Sequence, residues 1–313
     1  MKKWRLLLVL ALIILMAYSV FVPRTVQHDV RSPYFMDVTG RALNRPDMIA
    51  KWYVPFAGMD SHSVKRSAYP PALMAGEKSL TLLATTSISG IMLARDGMDS
   101  AEFLFTARHD TVDINCIVSL FYTSTLLQQL SGGNKLQRDA LKSLDNLGAL
   151  LNDVKSFYGY PMQKIEVEDT SFLTAKKMVG AGELQKGRKE IFDMLLKVAR
   201  DRNAGYNGVR IFHPVKQADG GWSLFAGVGV TKHFDTPEND PIQYRMMPYK
   251  KLLLVCDYEG PYYKVGEINA AMKQYIDDHQ MVNLAIPFEK IMQDSQDFGD
   301  SAQVKLRITY PFH

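Results

Sequence analysis

A chain of 313 residues is too long for one small domain, and two compact domains are the expectation. Lysine plus arginine number 37 against 33 aspartate plus glutamate, a net charge of +4 with no run of five or more like charges, which excludes a basic stripe able to track phosphates. A hydrophobic share of 47% is ordinary for a globular protein and leaves room for sizeable cores.

The chain starts with a basic flank, Met1-Lys2-Lys3-Trp4-Arg5, followed by an apolar, uncharged run over residues 6–22 that stops at Pro23-Arg24. Such a run is near the shortest able to span a bilayer as a helix. Positive charge before it predicts an N-terminus kept inside and soluble domains on the far side. The expectation is therefore a membrane anchor over 1–24 and a single-pass protein of the cytoplasmic (inner) membrane, with extracytoplasmic domains. A cleaved signal peptide is the rival reading; the nearest cleavage-like triplet, Ala17-Tyr18-Ser19, fits it poorly. Cys116 and Cys256 both sit in apolar, strand-like contexts, which favours two buried free thiols over a bridge.

Residues 25–31 read as a first strand. Ser32-Pro33 then serves as cap and first position of a helix over 34–44, and Arg45-Pro46-Asp47 opens a second, with Met48, Ile49, Trp52 and Tyr53 at helical spacing. Residues 55–75 read as loop, and 79–89, 91–94, 100–108 and 111–122 as strands. After Gly132-Gly133, Leu136, Ala140, Leu144, Leu147, Leu151 and Val154 mark one amphipathic helix over 134–158. This order resembles the polyketide cyclase and START-related helix-grip superfamily (SRPBCC), carried by Ser32-Pro33, by Lys51-Trp52-Tyr53 and by the terminal helix. The resemblance covers 25–160 and implies a curved antiparallel sheet gripping that helix around an apolar cavity.

Beyond it, strands are expected over 172–182, 209–214 and 222–230, with a helix over 188–200 and a hairpin turn at Asp219-Gly220-Gly221. The pattern then repeats: strand 247–258, helix 266–279, strands 285–292 and 304–312. Two strand-helix-strand-strand units in succession suggest an internal duplication. Residues 161–313 resemble the GyrI-like effector-binding domain attached to many AraC-type and MerR-type activators. The carriers are Tyr258-Glu259-Gly260-Pro261-Tyr262, Pro287-Phe288-Glu289 and Ile308-Thr309-Tyr310-Pro311. The family's acidic residue after that proline sits in a pocket between two halves and meets cationic, aromatic ligands, which implies the same for Glu289. The family often has a tyrosine two residues later, where this chain has Ile291, and that departure favours binding over the hydrolysis some members perform.

On spacing alone Glu289 is undecided, because alternation gives both strand faces mixed character. Around it, Trp222 and Tyr262 are the best pocket aromatics, with Phe225 and Tyr258 beside them. The seven histidines lack metal-ligand spacing, so neither a metal nor a cofactor is expected. Gly227-Val228-Gly229 has no following helix and fails as a dinucleotide fingerprint; close strand packing explains it better. The early helix pair is short and not basic, so no nucleic-acid partner is expected. The whole reads as an α+β protein: transmembrane helix, helix-grip-like domain, duplicated GyrI-like domain. Its expected function is binding of an apolar or cationic aromatic small molecule as sensor, scavenger or carrier. The alternatives are a hydrolase acting in the same pocket and a non-catalytic envelope adaptor.

Overall fold

Fifteen strands and seven α-helices arise from these patterns among the described residues. In this computed structural model those residues are 11, 14, 18, 20–59, 63–110, 116–168, 171–233, 235–237, 239–248, 250–283, 285–293 and 301–312. The chain divides into two units, Met1–Asp153 and Val154–His313.

The expected membrane anchor does not stand. Most of residues 6–22 lie outside the described residues, and among the described residues no helix is long and apolar enough to cross a membrane. The run over 6–22 stands at the lower limit of length for a spanning helix. The single-pass inner-membrane placement, with its inside N-terminus and extracytoplasmic domains, is corrected accordingly.

In the first unit, β1 (Arg24–Ser32) leads to α1 (Met36–Asn44) and α2 (Pro46–Trp52). Then follow β2 (Lys65–Ala68), β3 (Pro71–Ala75), β4 (Lys78–Thr85), β5 (Ser89–Asp96), β6 (Asp99–His109) and β7 (Cys116–Ser124). The sheet runs β1-β7-β6-β5-β4-β3-β2, so every neighbour is antiparallel and β1 closes on the last strand. The expected loop over 55–75 in fact carries β2, at the sheet edge, and β3 beside it, two short strands whose Pro, Ala and Ser content masks their alternation. Ser32 is not a helix cap. It ends β1, its hydroxyl lies 2.7 Å from Thr39 Oγ1 and accepts from the Tyr34 N–H, and α1 begins four residues later.

After α3 (Leu126–Leu130), α4 (Lys135–Asn152) opens on a capping box between Asn134 and Gln137. It buries Leu136, Ala140, Leu144, Leu147 and Leu151 and packs on β1, β5, β6 and β7. Trp52 is fully buried at the core, its indole N–H donating to Ala42 O at 2.9 Å and its ring edge-on to Phe105 at 5.2 Å. The expected single helix over 134–158 breaks at Asp153, whose extended backbone caps α4; α5 (Val154–Tyr158) belongs to the second unit. Cys116 and Cys256 are both buried and unbridged.

The second unit contains β8 (Gln163–Glu166), β9 (Ser171–Val179), α6 (Leu184–Asp201), β10 (Tyr206–Lys216) and β11 (Trp222–Val230). It continues with β12 (Ile242–Met246), β13 (Leu252–Pro261), α7 (Val265–Asp278), β14 (Phe288–Ile291) and β15 (Gln303–Phe312). Its sheet order is β12-β9-β11-β10-β14-β15-β13-β8. Strand, helix, strand, strand occurs twice, and the halves meet with β10 against β14 at the centre. Helix α6 packs on β9, β10 and β11, and α7 on β13 and β15, so each half carries its own helix.

Candidate functional site

Glu289 is the second residue after the Ile286-Pro287 step that delivers the chain to β14. Pro287 has no N–H to give to a ladder and stands just before the strand, where that lack costs nothing. Strand partners at the same level share a face. Glu289 is level with Phe212 on β10 and Ile308 on β15; Phe212 is level with Ala226, and Ile308 with Cys256. This row turns toward the helices: Arg188 of α6 lies over the Phe212 ring at 5.4 Å, and Tyr310, two residues beyond Ile308, donates to Asn269 Oδ1 of α7 at 3.0 Å. Glu289 therefore stands where the two halves join, on the face both helices cover. It is 6% exposed, which settles the burial that alternation left open.

Each neighbour reaches the carboxylate for a local reason. Gly187 lets α6 lie low on the sheet, because a Cβ there would sit 2.5 Å from Val179 Cγ1 and 2.9 Å from Leu224 Cδ1. That approach sets the next residue, the buried Arg188, above Phe212. At the end of β13, a Cβ on Gly260 would fall 2.5 Å from the Tyr258 hydroxyl, which donates to Pro261 O at 2.9 Å. The closed turn starts a short 3-10 segment, Tyr262–Lys264, from which the Tyr262 hydroxyl donates to Glu289 at 3.1 and 3.3 Å.

Burial pushes the Glu289 carboxyl up to about 7, against the downward pull of the Tyr262 hydrogen bond and the Arg188 charge. Beside it opens a cavity of about 430 Å³ whose lining includes His213, Pro214, Lys216, Asn269, Pro287 and Tyr310. Burial lowers the His213 pKa and raises that of Tyr310, so both are neutral at pH 7. The site is thus a carboxyl balanced between its two protonation states, beside a cavity whose wall mixes Pro214, Pro287 and Tyr310 with the polar His213, Lys216 and Asn269.

Of the five residues singled out from the sequence, the structure brings Glu289 and Tyr262 into contact. Tyr258 shapes the turn that presents Tyr262. Trp222 lies across from Lys216, about 13 Å along the strand from the Glu289 row. Phe225, one residue off that row, points to the opposite face, where the cluster of Phe172, Ile211 and Phe288 takes it in. Sequence reasoning missed Arg188 and Asn269. Arg188 had a readable signal, since it falls one turn before Ile191 and Leu195 on the buried stripe of α6. Asn269 gave none, because an asparagine in a helix is usually a solvent residue.

No family model matches the chain, and no curated protein does. Solved structures do. The EcmrR C-terminal domain is similar at 13% identity over 49% of this chain and 98% of its own, with a TM-score of 0.35. An uncharacterized conserved protein from Listeria innocua is similar at 16% identity over 51% of this chain and 96% of its own, with a TM-score of 0.34. SAV2435 bound to tetraphenylphosphonium is similar at 14% identity over 49% of this chain and 94% of its own, with a TM-score of 0.29.

Proposed function

We propose that the protein binds a small molecule carrying a positive charge on an apolar or aromatic frame, and that Glu289 is its counter-charge. One observation carries this reading: a carboxylate buried on an apolar sheet face, beside a cavity of about 430 Å³. A buried carboxylate is costly unless its charge is offset; Arg188 and Tyr262 do so only in part, since the carboxyl still lies above its ordinary value, and a ligand cation would supply the rest. Tyr310 and the prolines supply the apolar walls, and a cation against an aromatic face gains roughly 0.5–2 kcal/mol. The reading agrees with what the resemblance to GyrI-like effector-binding domains implies for this position. In the same spirit we read the first unit as a helix-grip domain, on the strength of its seven-stranded antiparallel sheet packed along α4.

Calorimetric titration of the full chain with tetraphenylphosphonium, and with neutral triphenylphosphine oxide as control, tests the proposal. Binding of the cation alone is expected, with affinity rising as pH passes through 7 and levelling off once Glu289 is ionised. Glu289→Gln is expected to weaken it at least tenfold. Equal binding by wild type and Glu289→Gln would remove Glu289 from the site.

The Tyr262–Glu289 pair also favours a second reading. A carboxyl titrating near 7, with a hydroxyl beside it, can take a proton from water and let it attack an electrophilic substrate. Turnover of an ester and electrophile panel, lost in both Glu289→Gln and Tyr262→Phe, would establish it in place of binding alone.

A further inference from the structure

Phe225 has no place in the Glu289 site, yet it lines a second cavity, on the opposite face of the same sheet. This cavity has a volume of about 280 Å³, close to the lower end of the roughly 300–1,000 Å³ of small-ligand pockets. Phe172, Ile211, Phe225 and Phe288 form one wall. Met246 and Ile286 also line it and are 64% and 46% exposed, so the apolar lining reaches the surface.

Charge sets the two cavities apart. Among the described residues that line this one, the charged ones are Lys176 and Arg245, both cations and both exposed; no carboxylate joins them. The register places Arg245 opposite Phe172 and Lys176 opposite Phe225, so one cation flanks each end of the aromatic row. An apolar slot alone would be indifferent to the sign of a ligand's charge. Two cations at its rim favour an anion; the acids Glu166 and Glu168 line the adjoining cavity behind Phe172, Ile211 and Phe288, not this one.

We propose that this cavity binds a medium-chain carboxylate, its alkyl chain on the Phe172–Phe225 wall and its head paired with Lys176 or Arg245. Because the cations are exposed, each pair adds little; the chain supplies most of the affinity and the head supplies the sign preference. The two cavities share Phe288 in their linings, but the cations invoked here take no part in the Glu289 proposal, which stands or falls separately.

The test titrates the full chain with decanoate, decanol and decyltrimethylammonium, each below its micelle concentration. Methyl resonances of Met246, Met247 and Ile286 locate the bound molecule. Decanoate should move those methyls and bind about tenfold more tightly than the ammonium compound. Lys176→Gln with Arg245→Gln should abolish that preference, and Glu289→Gln should leave decanoate binding unchanged. Both substituted cations are exposed, and an unaltered thermal melt checks that the double variant is folded. The proposal is overturned by decanoate leaving the three methyls unmoved, by the double variant keeping the preference, or by loss of decanoate binding in Glu289→Gln.

Discussion

The two faces of the second unit's sheet share strands and differ in what covers them. Toward the helices, the charges nearest the seam are buried: Glu289, which accepts from Tyr262, and Arg188, above the Phe212 ring. On the other face Lys176 and Arg245 stand at an exposed rim of the aromatic wall, and the half-buried Lys290 and Arg307 stand at the seam. Strand alternation makes this possible, since Glu289 and Phe288 are consecutive residues and face opposite ways. A charge placed under helices is set by burial; a charge placed at a rim is set by water. The first responds to pH near neutrality.

The largest effect that would break this comparison is loss of the covered core. Phe212 is 2% exposed beneath Arg188. Phe212→Ala should cost about 3–5 kcal/mol in urea unfolding followed at second-unit amides, while Phe225→Ala on the opposite face should cost about 1–2 kcal/mol.

Next comes Glu289→Gln. The folded carboxyl titrates near 7 and the ordinary value is 4.5, so between these pH values the folded state keeps a proton that the unfolded state has lost. Stability contributed by that proton is present at low pH, falls as pH climbs through the window and is gone above it. The glutamine variant should therefore be more stable at pH 8 by about 1–3 kcal/mol, with a flatter profile between the two pH values. A variant no more stable than wild type at pH 8 would mean that the carboxylate is already compensated. Tyr262→Phe removes a donor that favours the charged form, so the Glu289 midpoint should move up, as read by carboxyl-carbon NMR. The smallest effect belongs to the rim: Lys176→Gln and Arg245→Gln should each change stability by less than about 0.5 kcal/mol.

Long periodic elements were legible in the sequence and short ones were not. The stripe from Leu136 to Leu151 places α4, and Trp222 to Val230 is β11 to the residue. β8, β12 and α3 carry only four or five residues each, too few for a period to register, and they form because neighbours present a ladder or a cap. The site was half legible for the same reason. Glu289 and Tyr262 sit in recognisable local strings, whereas their meeting depends on two turns and the pairing of distant strands. Phe225, expected near Glu289, lies on the opposite face of the same sheet, a placement that one residue of register decides.

The ladder between β10 and β14 consists of two residue pairs, Ile211 with Lys290 and Phe212 with Glu289. Among the described residues every other ladder in this sheet is longer, and this one alone joins the strands of one half to those of the other. Amide exchange should find this seam the softest part of the sheet's centre, opening below the cost of global unfolding. A molecule held against Glu289 would grip the seam itself. Its arrival should slow exchange at residues 211, 212, 289 and 290 more than anywhere else, converting occupancy into stiffness between the halves.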